Sequence, residues 1–503
     1  MKKIILGAVI LALVIIPIAV MSGLALTASG QPGEPGQAGD TPSMQIGTPV
    51  ITVDGNAVSW NSVGWALEYV LYLNGERIEE FGANITEFNL NALGLTFGTA
   101  YEIRVQALTA KPFENSELSN IISFRNRFEQ ISAGTEHSMA LDTLGNVWTW
   151  GNNSFGRLGR DTGANTYDAT PRQIENVTGF ENIVEISAGN QHSMALDADG
   201  NIWTWGIGFT HALGHGTSVN ELFPRMVENG FGVAELPRFD SISASGKSMA
   251  LDADGYVWTW GQGFFGQLGH GVQMAQETMP RRIVYSGFEN IVQIQTAYQH
   301  SMALDYYGNV WTWGSNANGN LGHGASNIHV LSPKMITGVT GFDGNVMEIF
   351  ASNTHLMALD SNGNVWGWGR NFEGQLGLGF STPLDPNSFI EHTPAKIQDL
   401  EFTVRALTAG GFHSVAVDTD GNVWSWGRTD QGAVTVSVLD PEQVVGLSQF
   451  FTNLVAVSGG AHHTMALDAN GNIWTWGAVG YGRLGHTGNH LSPHLINMPF
   501  IAA

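Results

Sequence analysis

The 503-residue chain has no cysteine. Disulfides, thiolate metal sites and cysteine nucleophiles are excluded with it. Cations are scarce: 21 Lys plus Arg face 44 Asp plus Glu, a formal net charge of −23. That balance argues against a nucleic-acid partner, because phosphate binding needs clustered positive charge. No phosphate loop, HExxH or nucleotide fingerprint is present, so no cofactor and no metal site is expected. Long apolar runs are missing apart from Ile4 to Met21, which follows Lys2 and Lys3. A basic start and an apolar stretch read as an export signal, with Gly23 and Ala25 forming a small-x-small cleavage site. Left uncut, the run is long enough to anchor the chain in a bilayer. Residues 1–28 are thus a signal peptide or a membrane anchor. Residues 29–44, rich in Pro, Gly and Gln, form an extended linker.

What the chain has in abundance is one phrase. A His, then Met-Ala-Leu-Asp or a near copy, a Gly-Asn turn and Trp-x-Trp-Gly recur seven times, the boxes starting at Trp148, Trp203, Trp258, Trp311, Trp366, Trp424 and Trp474. Fourteen of the 16 Trp lie in these boxes. Such a period marks one supersecondary unit copied around a ring or along a rod. Within a copy, alternating apolar residues and hairpin-type Asp-Gly or Asn-Gly turns predict four short strands, a to d. Insertions fall only after the Trp boxes. Seven four-stranded units suit a β-propeller in which every sheet is buried on both faces.

The phrases HSMALD, GNVWTWG and Gly-Gln-Leu-Gly (266–269, 374–377) resemble the regulator of chromosome condensation propeller repeat over residues 127–503. The resemblance implies a seven-bladed ring. Three blades depart from the pattern: His211 replaces a loop glycine, Lys247 replaces the His, and the sixth copy lacks its Leu-Gly. Ring closure is expected where strand 128–133 meets segment 493–501, paired or packed in one blade.

Residues 45–125 read as a small β-sandwich. Trp60, the Leu95-x5-Tyr101 spacing of a tyrosine corner and Ser119-Asn120 resemble a fibronectin type III domain, which implies a spacer or adhesion module. No Arg-Gly-Asp is present. The expected fold is all-β: an N-terminal signal or anchor, a fibronectin type III-like sandwich and a seven-bladed propeller.

Several residues look catalytic and are better read as architecture. His137, His192, His300, His355, His413 and His463 occupy one slot in successive copies, so on a ring they cannot converge as a triad or metal site. Asp197-x-Asp199-Gly200-Asn201 has the start of a calcium loop without its distal Glu, and a plain hairpin turn is the simpler reading. The paired Trp are expected to pack between blades.

Function is therefore sought where the copies differ. With strands alternating in direction, the a–b and c–d loops open on one face and the near-identical b–c turns on the other. The variable loops carry Phe155, Phe209, Phe264, Phe265, Tyr298, Phe372, Phe412 and Tyr481. Exposed, they form a recognition surface; tucked under their own loops, they do not. The resemblance implies diverse roles, among them nucleotide exchange on a nuclear GTPase and secreted β-lactamase inhibition. The expected protein is a bacterial-type, secreted or surface-anchored, monomeric and non-catalytic binder of another protein. Binding of a surface glycan or cell wall is the alternative. A propeller lyase or hydrolase would need an asymmetric carboxylate or His cluster, which the sequence does not display.

Overall fold

The computed structural model describes residues 45–111, 113–163, 165–228, 236–326, 328–379, 389–398, 400–428, 438–444, 453–486 and 493–496. The signal or anchor, the linker and residues 497–501 lie outside the described residues.

Residues 51–125 form two antiparallel sheets. One joins Ile51–Asp54, Ala57–Trp60 and Glu87–Asn89. The other is ordered Glu76–Gly82, Glu68–Leu73, Ala100–Leu108, Ile122–Arg125. Alternation puts Val58, Trp60, Tyr69, Leu71, Ile103 and Val105 between them. The Tyr101 hydroxyl accepts from Thr96 N at 3.0 Å, tying the incoming loop to the strand it precedes. Ser119 Oγ accepts from Val105 N and Asn120 Oδ1 from Ile51 N, each at 2.9 Å, so this dipeptide stitches one sheet to the other.

From Phe128 onward each repeat folds into its own four-stranded antiparallel sheet, with strands adjacent in the order a-b-c-d. In the first repeat these are Phe128–Ala133, His137–Asp142, Val147–Asn152 and Tyr167–Gln173. Seven such sheets occur among the described residues. Strand b is buried at all six positions in every sheet but the fifth, where Leu359 is half-buried, because both faces of each sheet meet a neighbour. Strand alternation assigns the two faces different work. Ala140, Trp148 and Trp150 share one face of the first sheet and pack on Met465 and Leu467 of the seventh. Met139 and Leu141, on its other face, receive Trp203 and Trp205 of the second.

Hydrogen bonds repeat the same handover. In five of the seven boxes the second indole donates to a c–d loop carbonyl of the preceding sheet: Trp205 to Arg157 O (3.0 Å), Trp260 to Ala212 O (2.8 Å), Trp313 to Gln267 O (3.0 Å), Trp368 to Asn320 O (3.0 Å) and Trp150 to Arg483 O (2.9 Å). The last of these joins first sheet to seventh. Closure therefore differs from the expectation of a blade shared by the two ends. Leu495 pairs with Trp474 inside the seventh sheet, which supplies all four of its own strands. Ile496 only packs against Phe128 and Ile131. The ring closes without strand exchange, by side chains and by the backbone bond of Ala461 N to Gly134 O at 3.3 Å.

Strands a surround the axis and bridge to one another. Gln130 Oε1 accepts from Ile186 N at 2.9 Å while its Nε2 donates to Ile186 O at 3.5 Å. Gln293 clamps Ile349 in the same way, at 2.9 and 3.0 Å. Glu185 occupies this slot in the second sheet and accepts from Ser241 Oγ and Ile242 N at 3.1 and 3.2 Å. Burial pushes its carboxyl up to about 7. A folded-state value above the unfolded one means stability is greatest below the ordinary carboxylate range and is lost as pH rises through 7. Glu185→Gln is expected to stabilise the fold by at most about 3 kcal/mol at pH 8 and by little at pH 5. Urea unfolding at both pH values checks this; equal gains at both would contradict it.

Candidate functional site

The histidine slot is structural, by direct contact. His137 Nε2 meets Ser193 Oγ at 2.8 Å, and His192 meets Ser248 Oγ at 2.9 Å. His355 meets Ser414 Oγ (2.8 Å), His413 meets Thr464 Oγ1 (2.7 Å) and His463 meets Ser138 Oγ (2.8 Å). Each spans to the next repeat. Burial holds these rings neutral, taking His192 down to about 4 and His355 to about 3. Lys247 fills the slot in the third repeat and donates to Ala297 O and His300 O, both at 2.8 Å.

The b–c turns are likewise self-contained. Asp197 Oδ1 accepts from Asp199 N and Asn201 N at 3.0 and 2.8 Å, and Oδ2 accepts from Trp203 Nε1 at 3.0 Å. Asp142, Asp252, Asp305, Asp360 and Asp418 also take the first indole of their boxes. The carboxylate that suggested a calcium loop is thus a turn clamp. The His after Leu-Gly has a similar duty: His215, His270 and His323 bond the Thr between the two Trp at 3.0 to 3.1 Å.

The sandwich sits on this b–c face. Asn91 Nδ2 donates to Leu144 O at 3.0 Å, Leu144 enters the sandwich core, and Phe97 packs 4.7 Å from Phe128. A cavity of about 1100 Å3 between the two parts involves none of the loop aromatics.

The opposite face is open. The a–b loops of all seven repeats gather around an axial depression of about 550 Å3. Phe209, Tyr298 and Phe412 line it; Phe155 packs edge-on to Phe209 at 6.4 Å, and Phe372 shares the Arg370 guanidinium with Phe412. Six of the eight are exposed: Phe155 43%, Phe209 57%, Phe264 51%, Tyr298 42%, Phe372 46% and Tyr481 50%. Phe265 is half-buried, edge-on to His329 at 5.3 Å, and Phe412 is half-buried beneath the Arg370 and Arg428 guanidinium groups. For these two the tucked-under reading holds in part. Phe155 and Tyr481 have φ of 65° and 60°, a left-handed backbone that bulky residues adopt at a cost. The turn holds them outward, since each precedes a glycine, Gly156 or Gly482, packed tightly on the neighbouring d strand.

Two features escaped the sequence reading. The b–c turns are not all alike: Tyr306 and Tyr307 of the fourth stand 62% and 65% exposed, edge to face. Leu222 and Val219, also exposed, lie against Gly156 and Gly208, the glycines next to Phe155 and Phe209. The first was visible as a departure from Asp-x-Asp/Asn-Gly; the second needed the fold.

Because burial disfavours the imidazolium, His192 is expected to stay neutral from pH 8 to pH 5 and to charge near 4, with stability falling as pH drops from about 6.5 to about 4, where only the unfolded chain takes up the proton. Nitrogen-detected NMR titration of the His rings reads this directly; a midpoint near 6.5 for the buried set would contradict it.

Comparison with known proteins follows the same outline. The model of the RCC1-like domain matches residues 80–444 and 244–502. The human E3 ubiquitin-protein ligase HERC2 is 33% identical over 290 residues, 58% of this chain and 6% of that protein. The Arabidopsis thaliana ultraviolet-B receptor UVR8 is 28% identical over 310 residues, 61% of this chain and 66% of that protein. The chain therefore spans less than two thirds of these relatives. Human WBSCR16 superposes with TM-score 0.60 at 22% identity, covering 70% of this chain and 94% of that one. Prp20p from Saccharomyces cerevisiae superposes with TM-score 0.57 at 24% identity, covering 67% and 82%.

Proposed function

This chain belongs to the RCC1-like domain family, and from that premise we propose that it is a non-catalytic, seven-bladed propeller whose a–b and c–d loop face binds another protein. The observation that carries this reading is the circle of exposed aromatics on the face that the sandwich leaves open. The solved relative Prp20p was characterised for binding to Gsp1p and histones, which supports protein recognition by this fold. The repeated His and Asp are engaged in holding blades and turns together, which supports binding over chemistry. Residues 45–125 act as a fibronectin type III-like spacer that docks on the b–c face and presents the other outward. The basic-apolar N-terminus supports export or surface tethering of a monomer.

A glycan is the second reading, favoured by the flat stack of Phe372 on Phe389 at 4.8 Å. The full chain, used as bait, separates the two. Changing Phe155, Phe264, Phe372 and Tyr481 to Ala together is expected to reduce protein capture at least ~10-fold, as loss of interface aromatics does, with the melting temperature unchanged. Undiminished capture would sink the face assignment; binding on a glycan array without protein capture would favour the second reading.

A further inference from the structure

The depression on the open face is bordered by arginine. The chain carries 44 acidic side chains against 21 cationic ones, yet four arginines lie against residues that line this hollow. Arg157 donates to Glu136 Oε2 at 3.1 Å and to Asn190 O at 3.3 Å, and Arg483 donates to Thr135 O at 3.1 Å. Arg370 and Arg428 hold their Cζ atoms 5.4 and 5.6 Å from the centre of the Phe412 ring. Glu136 is the one carboxylate among the lining residues, and Asn152 and Arg157 already engage it. Glu373 pairs with Arg370 at 3.3 Å. Farther out, on the d strands, Asp168, Glu221 and Glu277 each have an arginine of their own. Among the described residues, the three guanidinium groups of Arg157, Arg370 and Arg483 thus meet two carboxylates.

Of these, Arg370 has donors to spare. Arg157 and Arg483 are buried, and each also bonds a carbonyl of its own loop, Ser154 O at 3.1 Å and Gly480 O at 2.7 Å. Arg370 keeps 31% of its side chain exposed. Among the described residues that side chain makes one hydrogen bond, Nη2 to Glu373 Oε1, while its Nε is buried with no partner. The guanidinium is held on rings instead. Its Cζ lies 4.7 Å from the centre of Phe372, which stacks flat on Phe389 at 4.8 Å, as well as over Phe412 in the wall of the depression.

A fork held in this way suits a carboxylate. Aromatic faces shed water from a guanidinium and limit its rotamers, so little is lost on binding and the N–H edge remains to bond. Two parallel N–H donors on one carboxylate make a short, charge-assisted pair. A neutral group would leave the excess positive charge uncompensated, and a basic group would add to it. A nucleic acid would bring many charges, most of them lying beyond the hollow against a body of net charge −23. A peptide segment places one or two acids inside the hollow and leaves its neutral residues for the exposed Phe209 and Tyr298.

We propose that the partner enters the depression with an acidic peptide segment, an Asp or Glu of which is taken by Arg370 at the Phe372–Phe412 wall. This rests on the protein-binding reading of the face and adds the chemistry of the partner and its anchor. The test selects phage-displayed random dodecapeptides on the full chain. Peptides rich in Asp and Glu are expected to be enriched. The best of them, followed by fluorescence anisotropy, should lose affinity at least ~10-fold when its acids are changed to Asn and Gln, and as much in Arg370→Gln, as for removal of one charge-assisted pair. Arg370→Lys keeps the charge without the fork and should recover only part. Arg282→Gln, beside Tyr256 on the b–c face, should bind unchanged. The change in the peptide needs no variant, so the demand for acid is read even where Arg370→Gln fails to fold. No enrichment, enrichment of neutral or basic peptides, undiminished binding to Arg370→Gln, an equal loss in Arg282→Gln, or displacement by single-stranded DNA would each overturn the proposal. Any of these alongside intact, aromatic-dependent protein capture refutes the acidic anchor alone. Loss of the aromatic dependence refutes the face itself.

Discussion

A neutral imidazole bonded to a hydroxyl on the next sheet is the interaction on which the ring depends. It works only while the imidazole is uncharged, because one ring nitrogen must suit the hydroxyl without a buried cation being left over. Burial enforces this, as for His137 against Ser193 and His463 against Ser138. In five of the seven sheets a Trp-to-carbonyl bond to the preceding sheet accompanies it, so one short stretch of strand fixes both neighbours. Where the code fails, the structure shows the cost. Leu356 stands where the hydroxyl should be, and His300 Nε2 is left buried without a partner in consequence. At Lys247 a longer side chain reaches backbone carbonyls instead.

This constraint divides the molecule's surface. The Asp of Met-Ala-Leu-Asp holds both its own turn and its own Trp, leaving the b–c turns short and uniform, with Tyr306-Tyr307 the conspicuous departure. The sandwich rests against that side through Asn91, Leu144 and Phe97. The loops on the other side carry few such duties and are free to vary in length and in aromatic content. The proposed recognition surface falls on that side, where the scaffold constrains the loops least.

Much of this was legible in the residues. Strand order, the b–c hairpin and the packing of the box Trp, twelve buried and Trp258 and Trp424 half-buried, follow from alternation and turn chemistry, which are local. The demotion of the six His required only that identical slots on a ring cannot converge. The tyrosine corner was readable for the same reason: short spacing, one geometry. Ser119-Asn120 was marked only by the resemblance, and its bonds to Val105 and Ile51 reach across 14 and 69 residues. Ring closure was not readable. Whether Pro493–Ile496 would complete the first sheet or the seventh depends on which strand lacks a partner, and that is known only once every sheet is assembled.

Exposure divides the loop aromatics in the same manner. Phe264 and Phe265 are adjacent in the chain, yet one projects and the other lies against His329, a contact with the following repeat. Nothing within either loop distinguishes them. The sequence by itself determined the repeat unit, its hydrogen-bond code and the face on which variation is permitted, because each is set by residues a few positions apart. Tertiary structure alone decided which side chains reach solvent and how the ends meet. Those outcomes depend on distances between repeats some 55 residues apart, which only packing around the axis brings into contact.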